Sequence, residues 1–80
     1  MPKSSAITRE LRSFGANLRR ERMSRQLTQE KVAERADLNI RTLQKIEAGQ
    51  TNILVTTASR LRNAVGCRWT ELLGPDASAK

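Results

Sequence analysis

An all-α fold, a compact bundle of five short helices, is what this 80-residue sequence predicts, and three observations carry the prediction. Apolar residues keep returning at three- and four-residue spacing, the period of one helix face. No sustained period-two run of β-branched residues suggests a strand. Good cap residues and glycines divide the periodic stretches into short pieces. The length gives room for one domain, since typical domains run to about 100–150 residues.

Ile7, Leu11, Phe14 and Leu18 step by four, three and four, and lay an apolar stripe along a first helix from about Thr8 to Arg25. The next positions on that stripe are Glu21 and Arg22, charges where an aliphatic residue was due. An arginine there can bury its stem but needs a carboxylate for its head. Thr28 is a good N-cap for a second helix, about Gln29–Ala36, whose inner face is Val32, Ala33 and Ala36. Lys31 stands where a capping box would have Glu, so that cap is only half-built. Asp37-Leu38-Asn39 forms a tight turn, with Asp tolerant of left-handed angles and Asn39 a strong N-cap. Leu43 and Ile46 face inward on a third helix, about Ile40–Ala48, which Gly49 closes. After the polar loop Gln50-Thr51-Asn52, Val55, Ala58, Leu61, Ala64 and Val65 make a fourth stripe, ended by Gly66. A last short helix, about Arg68–Leu73, holds Trp69, Leu72 and Leu73 and stops at Gly74-Pro75. Residues 1–6 and 75–80 are expected to be flexible tails around a domain of residues 7–74.

Phe14 and Trp69 are the whole aromatic complement, so the core must be aliphatic and thin: a chain this size hides only about 60–65% of its unfolded surface. A single cysteine, Cys67, excludes an intramolecular disulfide and suits a reducing compartment. With no histidine and one cysteine, a His/Cys zinc site or a triad-type hydrolase has no residues to use. The sequence therefore points away from an enzyme and implies neither metal nor cofactor. Cys67 reads as a small buried apolar residue, and Glu30 and Glu34 as solvated carboxylates one turn apart. No apolar run approaches the roughly 18 residues of a membrane span, and the start lacks the apolar stretch of a signal peptide. The expectation is a cytoplasmic protein.

Fifteen Lys and Arg against eight Asp and Glu leave a net charge of +7. The excess sits in residues 1–27, where seven bases face only Glu10 and Glu21. A basic helix of this kind can be merely a solvated face. It also attracts polyanions, because phosphate attraction needs positive charge but no fixed geometry. Binding to an anionic membrane fits less well, since the helix carries no tryptophan for the interface.

The central motif gathers Gln29, apolar Val32 and Ala33, the turn Asp37-Leu38-Asn39, then Leu43 and Ile46. Ala33 suits two helices that cross closely, while Leu38 plugs the turn. Ile40, Arg41, Thr42, Gln44 and Lys45 are left pointing away from the core. An outward isoleucine just after a cap makes sense against an apolar edge such as a thymine methyl, whereas a rotation of the third helix would make Ile40 a core residue.

Residues 29–49, together with Leu18 to Arg22, Leu27-Thr28, Asn52-Ile53, Arg60 to Gly66 and Glu71 to Gly74, strongly resemble the phage Cro/repressor-like (XRE) helix-turn-helix family, whose fold is that of lambda-repressor-like DNA-binding domains. The resemblance spans about residues 14–74, and the combination Thr28-Gln29, Ala33, Ile46-Glu47 and Gly49 makes it specific. It implies that the third helix lies in the DNA major groove, with Ile40, Arg41, Thr42, Gln44 and Lys45 at the base-reading positions. Gln29 matches the residue that grips a phosphate at the N-terminus of the second helix. Asn39, Arg19, Arg25 and Gln50 join it as phosphate-binding candidates. Arg22 and Glu47 match the family's buried-edge ion pair, which resolves the charge on the first apolar stripe. Two positions depart from the pattern: Asp37 stands where glycine is common, and the loop Gln50-Thr51-Asn52 is neutral where a basic loop is usual.

The resemblance implies a transcriptional regulator of double-stranded DNA, acting as a homodimer on a pseudo-palindromic operator and of the repressor type. The rival is an antitoxin-like module whose decisive partner is a protein and whose DNA binding serves autoregulation; the short tails weigh against it. Trp69, Leu72 and Leu73 are expected to cover the core, with a role in the dimer seam left open.

Overall fold

In a computed structural model the backbone of residues 2–74 and the side chains from Ile7 to Gly74 are described. Five helices follow one another: α1 (Pro2–Ser24), α2 (Gln29–Ala36), α3 (Ile40–Glu47), α4 (Val55–Val65) and α5 (Trp69–Leu73). Helix α1 lies against α3 and α5, and α2 packs on α3 and α4. Among the described residues no helix is long and apolar enough to cross a membrane.

Four helix ends share one device. Gln26, Asp37, Gly49 and Gly66 all have positive φ, between 57° and 83°. At the end of α1 the Leu27 N–H donates to Arg22 O at 3.1 Å and the Gln26 N–H to Met23 O at 3.0 Å. The same pair of bonds ends α2 around Asp37, where Leu38 N–H reaches Ala33 O at 2.8 Å. These are Schellman closures, which satisfy carbonyls that a helix end would otherwise orphan. At the other ends, Thr28 Oγ1 accepts from Lys31 N–H at 3.0 Å and Asn39 Oδ1 from Arg41 N–H at 2.8 Å.

The core draws Phe14 and Leu18 from α1, Val32, Ala33 and Ala36 from α2, and Leu43 and Ile46 from α3. Helix α4 adds Ala58, Leu61, Ala64 and Val65, and Cys67 and Leu72 close it from below. All thirteen are aliphatic, small or sulfur-bearing except Phe14.

Two expectations need correction. Helix α1 begins at Pro2 rather than near Thr8, so residues 2–6 are helical and not a tail. A proline costs nothing in the first turn, where its missing N–H would be unpaired anyway, and no glycine interrupts residues 3–6. Ile7, Val55 and Leu73, placed in the apolar stripes by their spacing, are 50%, 81% and 65% exposed. Val55 opens α4, Leu73 ends α5 and Ile7 lies in the second turn of α1, places where no neighbouring helix covers them. Trp69 packs half-buried against the core, as expected, under the Arg62 guanidinium at 5.3 Å from the ring centroid, and Leu72 is fully enclosed. The expected tail 75–80 lies outside the described residues.

Asn17 is fully buried among these aliphatics. Its Nδ2 donates to Leu72 O at 2.8 Å and Gly74 O at 2.9 Å, which pins the end of α5 to α1. The pattern signal was available: Asn17 falls between Phe14 and Leu18 on the inward face of α1.

Candidate nucleic-acid interface

Two close approaches set the pose of α3. Ala33 is buried where α2 crosses it, and Gly15 brings the backbone of α1 onto the α3 C-terminus. A Cβ on Gly15 would collide with Ile46 O and come 2.5 Å from Glu47 O, so no larger residue permits this approach. Gly49 sits equally tight against Arg12, where a Cβ would be 2.7 Å from Cα and Cγ. Its φ of 72° is a further reason for glycine there.

A polar clamp completes the seating. Arg22 Nε donates to Glu47 Oε2 at 2.7 Å and Nη2 to Oε1 at 3.1 Å, the parallel fork that makes arginine–carboxylate pairs geometrically specific. Both side chains are nearly enclosed, 11% and 4% exposed. Arg22 Nη1 donates also to Leu27 O at 2.9 Å, tying the turn after α1 into the same unit. Gln29 Nε2 donates to Glu47 Oε1 at 3.0 Å, and Gln44 Nε2 to Gln29 Oε1 at 3.3 Å. The ion pair thus grows into a chain that links α1, the start of α2, and both the exposed and buried sides of α3.

On the outer side of α3, Arg41, Thr42, Gln44 and Lys45 are exposed. Among the described residues neither Arg41 nor Lys45 has an ion-pair partner. Ile40 differs from its expected outward pose: it is half-buried and packs against the core. The helical rotation that buries Leu43 three residues later draws Ile40 partly inward with it.

The phosphate-binding candidates divide in the same way. Arg19 and Gln50 are exposed, and Asn39 is exposed while its side chain caps α3. Gln29 stands at the first residue of α2, half-buried, with its amide held by Glu47 and its side-chain oxygen by Gln44. Arg25 is engaged elsewhere, its Nη1 donating to Glu21 Oε1 at 2.6 Å and its Nη2 to Gly66 O at 3.3 Å. The hydrogen bond to Glu21 holds that guanidinium charged above its usual range. The Glu21 pair, four residues apart on one helix, was available from spacing, but the Gly66 contact forty-one positions away was not.

Residues 18–72 match the family model described as helix-turn-helix. No curated protein matches the chain. Among solved structures it is similar to the restriction-modification controller protein C.AhdI from Aeromonas hydrophila, at 31% identity and a TM-score of 0.74. That likeness covers 78% of this chain and 94% of the controller.

Proposed function

The chain belongs to the helix-turn-helix family, in its XRE-type branch of DNA-binding transcriptional regulators, and from that premise we infer that it is a sequence-specific repressor acting as a homodimer on a pseudo-palindromic operator. The observation that carries this reading is the contrast across α3. One side is clamped by a buried bidentate ion pair, and the other presents Arg41, Thr42, Gln44 and Lys45, its two cations unpaired among the described residues. A helix held that rigidly is suited to read base edges, since a bidentate arginine–guanine contact discriminates only when its backbone is already in place. Ile40 contributes the exposed part of its side chain to a thymine methyl. Gln29 at the N-terminus of α2, with Asn39, Arg19 and Gln50, holds phosphates; Arg25 serves the packing of α1 on the α4–α5 turn instead. Two such helices in a dimer would enter major grooves about 34 Å apart. The similarity to a restriction-modification controller protein supports a regulatory role.

The test is selection from random-sequence duplex over several rounds, followed by titration at two salt concentrations. The expected result is a two-fold site whose affinity falls roughly 10–100-fold on Arg41→Ala, as loss of one bidentate base contact of about 1–3 kcal/mol requires. Uniform weak binding, lost at moderate salt and indifferent to Arg41, would overturn base reading by α3.

A further inference from the structure

The cations among the described residues differ in whether they are partnered, and Arg41, Lys45 and Arg60 lack an ion pair. Arg22, Arg25, Lys31, Arg35 and Arg68 each have a carboxylate or carbonyl partner. Arg9, Arg12 and Arg19 have no ion pair or side-chain hydrogen bond among the described residues, and all three are exposed. They follow one another on α1 at intervals of three and seven, with Ala16 between, so they share one helix face over roughly 15 Å of axis. Glu10 faces elsewhere, beside Ser13, Phe14, Leu72 and Leu73, and does not neutralise them.

That face runs along the C-terminal end of α3. Arg12 packs its backbone on Gly49, the residue that opens the α3–α4 loop. Further along, Ala16, Arg19, Arg20 and Met23 line an open groove together with Glu47 of α3. The neighbouring loop, Gln50-Thr51-Asn52, carries no charge. The unpaired cations missing from this loop are therefore present beside it, on a different helix. Arg9 and Arg12 also lie upstream of the residues that match the family model.

We propose that the Arg9–Arg12–Arg19 face of α1 is a second contact surface for duplex DNA, binding backbone phosphates that flank the segment read by α3. It is sequence-independent: exposed guanidiniums on a helix face meet phosphate oxygens and reach no base edge. That the phosphates it binds flank a segment read by α3 rests on the proposed function, whereas its affinity for a duplex does not.

The experiment is anisotropy titration of labelled duplexes by the full chain across a salt series, comparing the wild type with Arg9→Gln/Arg12→Gln. Arg60→Gln/Arg68→Gln removes the same charge from α4 and the start of α5. On a long random duplex the α1 variant should lower the slope of log K against log salt by about 1.8, or 0.9 for each lost phosphate contact. The deficit relative to wild type then changes about twelvefold between 50 and 200 mM salt. On the selected site the loss should vanish once flanking base pairs are trimmed, with site preference and melting temperature unchanged. An unchanged slope in the α1 variant overturns the proposal. An equal slope change in the Arg60/Arg68 variant also overturns it, by showing net charge alone. If Arg41→Ala leaves site selection untouched, base reading by α3 fails while the slope on random duplex still decides the α1 surface.

Discussion

Removing the Glu47 carboxylate should be among the most damaging single changes in this protein. The group accepts Arg22 Nε at 2.7 Å, Arg22 Nη2 at 3.1 Å and Gln29 Nε2 at 3.0 Å, and its side chain is 4% exposed. Glu47→Ala leaves the Arg22 guanidinium enclosed with only Leu27 O as partner. Stranding one member of a buried pair costs about 3–5 kcal/mol. A domain of this size holds roughly 4–12 kcal/mol in all, so the variant should be near the edge of folding. Glu47→Gln keeps the shape and one acceptor but loses the charge, and should cost about 1.5–3 kcal/mol. Arg22→Met with Glu47→Leu removes both charges and fills the space, so it should fall within about 1 kcal/mol of the wild type. Urea denaturation followed by far-ultraviolet circular dichroism measures all three. The apolar pair should nevertheless bind a selected site more weakly, because the fork that fixes the pose of α3 is gone. A loss below about 1 kcal/mol in Glu47→Ala would refute the reasoning. So would an apolar pair as unstable as that single variant.

Gly15→Ala should destabilise the fold by about 1–3 kcal/mol although alanine is the better helix former, because its methyl meets Ile46 O and Glu47 O; a raised melting temperature would contradict the close approach. Asp37→Gly should stabilise by roughly 0.5–1 kcal/mol in the same urea assay, since Asp37 holds φ 57° and ψ 50° where glycine is unstrained. Burial pushes the Cys67 thiol above its ordinary range, with the Arg25 charge opposing only in part. Maleimide should therefore modify the native protein far more slowly than the urea-unfolded chain. The unfolded chain releases its thiol proton first, so stability should decline as pH rises above about 8.5, and Cys67→Ala should flatten that decline.

What was legible from spacing is what depends on local chemistry. Thr28 and Asn39 cap their helices because a short oxygen-bearing side chain can reach an N–H two or three residues ahead in any fold. Leu43 and Ile46 face inward because they share a helix face. Arg22 and Glu47 were linked through the family resemblance, and the fork between them joins residues twenty-five apart. The end of α1 was less legible: Gln26 adopts left-handed angles with no residue preference to announce it. Ile7, Val55 and Leu73 have the right spacing for the core and lie outside it, since periodicity names a face without saying whether another helix covers it.

The sequence by itself determined the all-helical class, the order of the five helices, most of the aliphatic core and the family, because periodicity, caps and motif are properties of neighbouring residues. Only the tertiary structure decided which charges are free. Arg22, Arg25 and Arg35 find partners 25, 41 and 29 positions away, whereas Arg9, Arg12, Arg19, Arg41 and Lys45 find none among the described residues. Charge is counted along a chain, but it is neutralised across space, where a carboxylate or carbonyl within about 4 Å decides whether a cation remains available to a phosphate.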